Sequence, residues 1–216
     1  MNDRESRDAW SIARYQVTYP GSMGRFSIEH VPQRMYEDLR HLHVAGVYQA
    51  RSLLPHVEAI LARASSAGAT VSLDCQWDPS ERWEGLARWL PHVDWLFANE
   101  QEACSMSGKT GAEEALTALA ARTACPVVKA GSRGAWLMEE GRPSLAAAAP
   151  VKVVDTIGAG DNFDAGFLYA VIEKGLAPGA AARHANAAAG RSCTFRGGTA
   201  ARSSWDDVVR FMAPAG

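Results

Sequence analysis

From Pro32 onward, short apolar runs alternate with stretches whose apolar residues recur every three or four positions, and this alternation is the strongest constraint on the fold. The runs at 42–45, 71–73, 93–97, 127–128, 135–138 and 151–154 have the length and the Val, Leu and Phe content of buried strands. Between them, Leu53, Val57, Ile60, Leu61 and Ala64 form a helical stripe that stops at Gly68. Trp83, Leu86, Ala87 and Leu90 mark a second helix. Residues 112–122, 161–174 and 177–193 read as further helices, the second of them closed by Gly175 and the third rich in Ala. A last helix starts at Ser203 or Ser204, three residues before Asp206 and Asp207, as in a capping box. Strand–helix alternation predicts an α/β fold, a mostly parallel sheet covered by helices on both faces. The small residues of 177–193 are expected to let that helix pack closely. No repeat or long linker divides residues 31–216, which read as one domain.

Residues 1–30 follow a different pattern. Ala13, Tyr15, Val17 and Tyr19 share one face of a half-exposed strand over 10–19, and Pro20-Gly21-Ser22 turns the chain so that 25–28 can run back beside it. A small projecting hairpin is the expectation. Net charge is −2, which argues against a nucleic-acid binder, whose footprint is basic. No apolar run approaches the ~20 residues of a membrane helix. The charged start, Met1 to Asp8, has no apolar signal core, so a cytoplasmic location is expected. The four cysteines, at 75, 104, 125 and 193, have no metal or disulfide spacing and read as small side chains in a reducing compartment. His41 and His43 share one face of a strand, but the ligand spacings of a zinc site are missing.

Asp155-Thr156-Ile157-Gly158-Ala159-Gly160-Asp161 carries the chemistry. It follows the run at 151–154 and opens a helix. Gly158, Ala159 and Gly160 let a phosphate approach the backbone, and the free N–H groups and dipole of a helix start favour an anion there. Asp161 sits at that positive end. A plain helix cap is the simpler role for such a residue. Beside an anion cradle, however, a carboxylate can take the proton of an attacking hydroxyl, and the pair reads as phosphoryl transfer. Ser107-Gly108-Lys109-Thr110 imitates the end of a Walker A loop, but position 103 is Ala where that motif needs Gly, and the segment leaves a helix.

Asp155-Thr-x-Gly-Ala-Gly-Asp161-x-Phe163-x-Ala165-Gly166-Phe167 resembles the C-terminal signature of ribokinase-like (PfkB-type) carbohydrate kinases. Asn99 to Ala103 resembles the family's Asn-x-x-Glu motif, Lys129-Ala130-Gly131-Ser132-Arg133-Gly134 its nucleotide loop, Asn186 the Asn beside the adenine, and Gly197-Gly198-Thr199 its closing loop. The resemblance implies ATP-dependent phosphorylation of a sugar or nucleoside hydroxyl, with Asp161 as base and Gly158, Ala159 and Gly160 as the anion hole. It implies nucleotide contacts from Asn99, Lys129, Gly131, Ser132, Gly134 and Asn186. Glu102 would order Mg²⁺ and phosphate through water. Asp155, the Ile157 carbonyl and Gly197 match positions of a monovalent cation site, for K⁺. Tyr19, Arg25, His43 and Asp74 are candidates to face the sugar, and Asp78 to cap a helix starting near Ser80. Plainer roles stand beside these: Asn99 and Glu102 as a helix cap, Gly131 and Gly134 as a hairpin turn, Asn186 as an exposed helix residue, Tyr19 as lid core.

The family's first third, with its Gly-Gly-rich segment and sugar-holding Asn, has no counterpart here. The chain then begins inside a partial β lid, 1–30, ahead of the catalytic domain, 31–216. Missing strands leave an open sheet edge, which a second copy of the chain could cover. Two readings follow: a working sugar kinase, and a non-catalytic remnant that binds a nucleotide or partner without turnover.

Overall fold

The computed structural model of the chain describes residues 19, 21–200 and 202–213. Among the described residues six strands, β1 (His41–Ala45), β2 (Thr70–Asp74), β3 (Trp95–Asn99), β4 (Cys125–Lys129), β5 (Gly134–Glu139) and β6 (Arg142–Ala147), form one sheet in chain order. β1 to β4 are parallel, and β5 and β6 add antiparallel. Helices α1 (Val57–Ser66), α2 (Leu86–Trp89), α3 (Glu100–Ser107) and α4 (Ala112–Ala120) lie between the strands; α5 (Ala159–Ile172), α6 (Pro178–Cys193) and α7 (Trp205–Met212) follow the sheet.

Side-chain alternation along the strands explains the layers. Val71, Leu73, Leu96, Ala98 and Val128 point to one face and join Ile60, Leu61, Leu116 and Leu119 in one core. Phe97, Val127, Ala135 and Leu137 point to the other and join Phe163, Phe167, Ala181, Ala182 and Ala185. Burial on both faces is why these strands read as continuous apolar runs. The Ala-rich helix packs closely, as expected. A Cβ on Gly166 would stand 3.0 Å from Ala188 Cβ and 3.2 Å from Ala185 Cα, so α5 and α6 touch almost backbone to backbone.

Two expected strands are absent. Residues 151–154 join no ladder; the N–H groups of Val154 and Asp155 both donate to the Cys193 carbonyl at the end of α6 (2.8 and 3.2 Å). The strand that precedes the motif is β6, whose Pro143 is tolerated because β6 is an edge. Residues 25–28 are not a strand either: 3-10 turns cover Met23–Arg25 and Ile28–His30, and the Phe26 ring stacks on His30. The partner strand expected over 10–19 falls almost wholly outside the described residues, so the lid remains an expectation. Among the described residues β1 is the other edge of the sheet.

Candidate active site

The C-terminal ends of β2 and β4 meet the first turns of α5, where Lys129 pairs with Asp74 and Asp164 and reaches the Gly160 position, and strand ends of this kind are where open α/β sheets take ligands. Gly158 is the N-cap of α5 with φ +72, a conformation that favours glycine. A Cβ there would meet Gly198 Cα at 2.9 Å, so the loops at 155–160 and 197–198 lie directly against each other. Asp155 ties them: its Oδ1 accepts the Ile157 N–H (2.9 Å) and its Oδ2 the Gly197 N–H (2.8 Å). Asn162 ties them again, its amide donating to the carbonyls of Gly158 (2.8 Å) and Gly198 (3.1 Å). Asp155, Ile157 and Gly197, expected to share a cation site, are thus brought into one knot.

Asn162 N–H bonds to the Gly158 carbonyl, closing the helix from that residue onward. The N–H groups of Gly160 and Asp161 remain at the positive end, unused by the helical ladder. Asp161 stands in this first turn, exposed. The N-cap position belongs to Gly158, and the Asp161 carboxylate has no hydrogen bond or ion pair among the described residues. The capping role therefore does not fit it.

Behind the turn lies a buried charge cluster. Lys129 Nζ is 2.8 Å from Asp74 Oδ2 and 3.1 Å from Asp164 Oδ1. It also lies 3.5 Å from where a Cβ on Gly160 would be, so the ammonium backs the Gly158–Gly160 cradle. One cation faces two buried carboxylates. Burial raises both, but Lys129, together with the Gln76 N–H, holds Asp74 below the usual range. Asp164 is less compensated, and burial pushes it up to about 8. Burial works against the charge of Lys129, but Asp164 and Asp74 outweigh it and raise its pKa. Lys129, expected on the nucleotide loop, and Asp74, expected to face the sugar, pair with each other beneath the 158–160 turn. Asp164 and Asn162 were not singled out in the sequence. A signal for Asp164 was present, since an Asp beside the buried stripe of Phe163, Phe167 and Ala170 needs a partner.

Asn99 and Glu102 form a reciprocal capping box on α3: Asn99 Oδ1 accepts the Glu102 N–H and Glu102 Oε2 accepts the Asn99 N–H, both at 2.9 Å. Glu102 is buried, and that burial raises its carboxyl above the usual range. Among the described residues no group of three or more His, Cys, Asp or Glu could hold a metal. A Mg²⁺ ion at this site would keep most of its waters, and Glu102 is the carboxylate that would order them. Gly131 (φ +59) and Gly134 (φ +113) shape the turn after β4, with Ser132 exposed on it; a Cβ on Gly134 would collide with the Ala146 carbonyl. Arg133 of this turn pairs with Glu100 at the start of α3. Asn186 is buried, and its amide donates to the Ala146 carbonyl of β6 (2.7 Å), so it is not the exposed helix residue of the plainer reading. Asp78 caps no helix; it orders a turn by accepting the N–H groups of Ser80 and Trp83. Tyr19 and Arg25 are exposed and have no described contact with the cluster.

The profile of the pfkB family carbohydrate kinases matches residues 14–205. The chain belongs to that family. Among pfkB relatives, it is 35% identical to fructoselysine 6-kinase of Shigella flexneri over 118 residues, 52% of this chain and 41% of that protein. It is 33% identical to ribokinase of Bacillus subtilis over 123 residues, 56% and 41% of the two chains. A ribokinase II from E. coli, solved with ATP and Mg²⁺, superposes with a TM-score of 0.77 at 24% identity, over 87% of this chain and 63% of its own. The pfkB fold is therefore shared, and the matches span about two fifths of the curated relatives' length.

Proposed function

We propose that this pfkB chain phosphorylates a sugar hydroxyl at the expense of ATP. The observation that carries the reading is the Asp161 carboxylate, which has no partner among the described residues, at the positive end of α5 beside a glycine turn. The N–H groups of the 158–160 turn would hold the transferred phosphoryl group, with the Lys129 charge behind them. Asp161 would accept the hydroxyl proton as the oxygen bonds to phosphorus and the bond to the leaving phosphate breaks. Mg²⁺, when bound, would neutralise charge on the nucleotide's phosphate oxygens. The turn at 131–134, with Asn99 and Asn186 near it, would receive the nucleotide. The names of the relatives point to fructose-like and ribose-like acceptors.

The deciding assay is ADP release by the 216-residue chain with D-fructose and D-ribose, in K⁺ and in Li⁺ at constant ionic strength. Sugar-dependent release is expected, faster in K⁺, because a cation held by Asp155, Ile157 and Gly197 would stiffen the turn that makes the anion hole. A flat response to the ions would remove the cation site. ATP analogue binding with no sugar-dependent release would instead support the non-catalytic remnant.

The phosphate position has a separate test. Gly160 has an ordinary φ, and a Cβ there meets only Lys129 Nζ at van der Waals distance. Gly160→Val is therefore expected to fold, while its branched side chain fills the cradle and weakens binding of a non-hydrolysable ATP analogue by at least about tenfold, the loss of a charge-assisted hydrogen bond. Equal affinity by calorimetry would move the phosphates elsewhere.

A further inference from the structure

We propose that a hydrogen-bonded chain, Thr70–His41–Ser72–His43, fixes the tautomer of His43 so that its Nε2 offers a lone pair to a sugar hydroxyl, making His43 a specificity-determining residue. The inference rests on the sugar kinase reading above and deepens it.

The links are short. His41 Nδ1 is 2.9 Å from Thr70 Oγ1, His41 Nε2 is 2.9 Å from Ser72 Oγ, and His43 Nδ1 is 2.7 Å from the same Ser72 Oγ. Counting protons along the chain sets each role. The Thr70 hydroxyl donates to the Arg40 carbonyl (3.3 Å), so its oxygen must accept from His41 Nδ1–H. His41 Nε2 is then bare and accepts the one proton of Ser72 Oγ–H. Ser72 Oγ, its proton committed, accepts from His43 Nδ1–H. A neutral imidazole has a single N–H, so Nε2 of His43 is an acceptor. Neutrality is supported by the partial desolvation of both rings, which pushes His41 down to about 4 and also lowers the more open His43.

This acceptor stands at the active site. His43, Ser72, Asp74 and Lys129 lie on the α5 side of the sheet, near the C-terminal strand ends, and the charges that act on the His43 ring are Asp74, Lys129 and Asp161. Nε2 has no partner among the described residues, and the His43 side chain is exposed. A ring that presented N–H could pair with Asp161 and occupy the base. The bare nitrogen cannot, which agrees with the lack of a partner for Asp161 among the described residues. Two acceptors in one site, a carboxylate and a bare imidazole nitrogen, call for a ligand that donates at least two O–H groups, a polyol.

The tautomer is read without any enzyme assay. Long-range ¹H–¹⁵N spectra of the ¹⁵N-histidine-labelled protein are expected to show His43 with a protonated Nδ1 and a bare Nε2. Titration with D-fructose or D-ribose is expected to shift Nε2. Thr70→Val, which removes the group that sets the order, is expected to give a mixture of tautomers. His43→Leu is expected to raise the KM for the sugar by about tenfold, the loss of one hydrogen bond to a neutral acceptor, with the change in KM for the sugar and not in KM for ATP. An Nε2–H tautomer in the wild type would overturn the proposal, as would an Nε2 signal indifferent to both sugars. A shift at Nε2 without turnover would sink the kinase reading and leave the acceptor standing.

Discussion

Asp161→Asn is expected to lower turnover by about two to four orders of magnitude. A sugar hydroxyl keeps its proton until late in the transfer, so a positioned base lowers the barrier only if it can take that proton. Asn has the shape of Asp and no basic oxygen. Two structural features sharpen the test. The Asp161 carboxylate has no described protein partner, so the substitution breaks no ion pair and frees no buried group. The N-cap of α5 is Gly158, so capping is untouched. The remaining effect on stability is the loss of a charge near a helix N-terminus, typically 0.3–1 kcal/mol. Affinity for an ATP analogue should hold within a few-fold, because the cradle is backbone. Steady-state phosphorylation of an accepted sugar, run beside a thermal melt, separates the outcomes. Near-normal turnover in the Asn variant would take Asp161 out of the mechanism.

Much of this arrangement is legible in the sequence, and the failures have physical causes. Strands β1 to β5 and helices α5 and α6 show because burial on both faces or on one stripe imposes apolar periodicity. The capping box of α7 shows because Ser204 and Asp207 are a local signal, and the structure closes it through Ser204 Oγ and the Asp207 N–H (3.2 Å). Residues 151–154 mislead because Val-Lys-Val-Val has high intrinsic strand preference, yet the place beside β5 goes to Arg142–Ala147, which follows it through a two-residue turn. Local hairpin geometry outweighs propensity there. Residues 25–28 mislead because the alternation of Phe26 and Ile28 imitates a strand, while 3-10 turns at Met23–Arg25 and Ile28–His30 take the segment. In the site, the glycines and Asp161 are legible because the turn at the start of α5 is written in consecutive residues. The Lys129–Asp74–Asp164 cluster is not, since its members come from three elements 35 and 55 residues apart. Nor is the histidine chain, which depends on the register that sets His43 opposite Ser72.

Lys129→Met is expected to cost about 3–5 kcal/mol of stability, the range for removing one partner of a buried ion pair. For a chain of this size that lowers the melting temperature by roughly 6–20 °C. Met fills much of the Lys volume, so little of the loss comes from a cavity. It comes from Asp74 and Asp164, left facing each other in the interior without a cation. The sign of the pH dependence follows from the same cluster. Asp164 is pushed up to about 8 in the folded protein by burial, and an unfolded Asp titrates near 3.9. Between those values the native state holds a proton that the unfolded state has released, so stability falls as pH rises through that window. Asp74 is held below its usual range, so its contribution is present above about pH 4 and is lost as pH falls through its lower folded value. Replacing the titrating group should flatten the upper limb: Asp164→Asn is expected to lose the decline between about pH 5 and 8 that the wild type shows. Lys129→Met should steepen it, because both carboxyls then resist ionisation. Urea midpoints at pH 5, 6.5 and 8 for the three proteins test all of this. A loss below about 1 kcal/mol in Lys129→Met, the value of an exposed pair, would mean that water reaches the cluster. An unchanged slope in Asp164→Asn would place the proton held by the native state on another group.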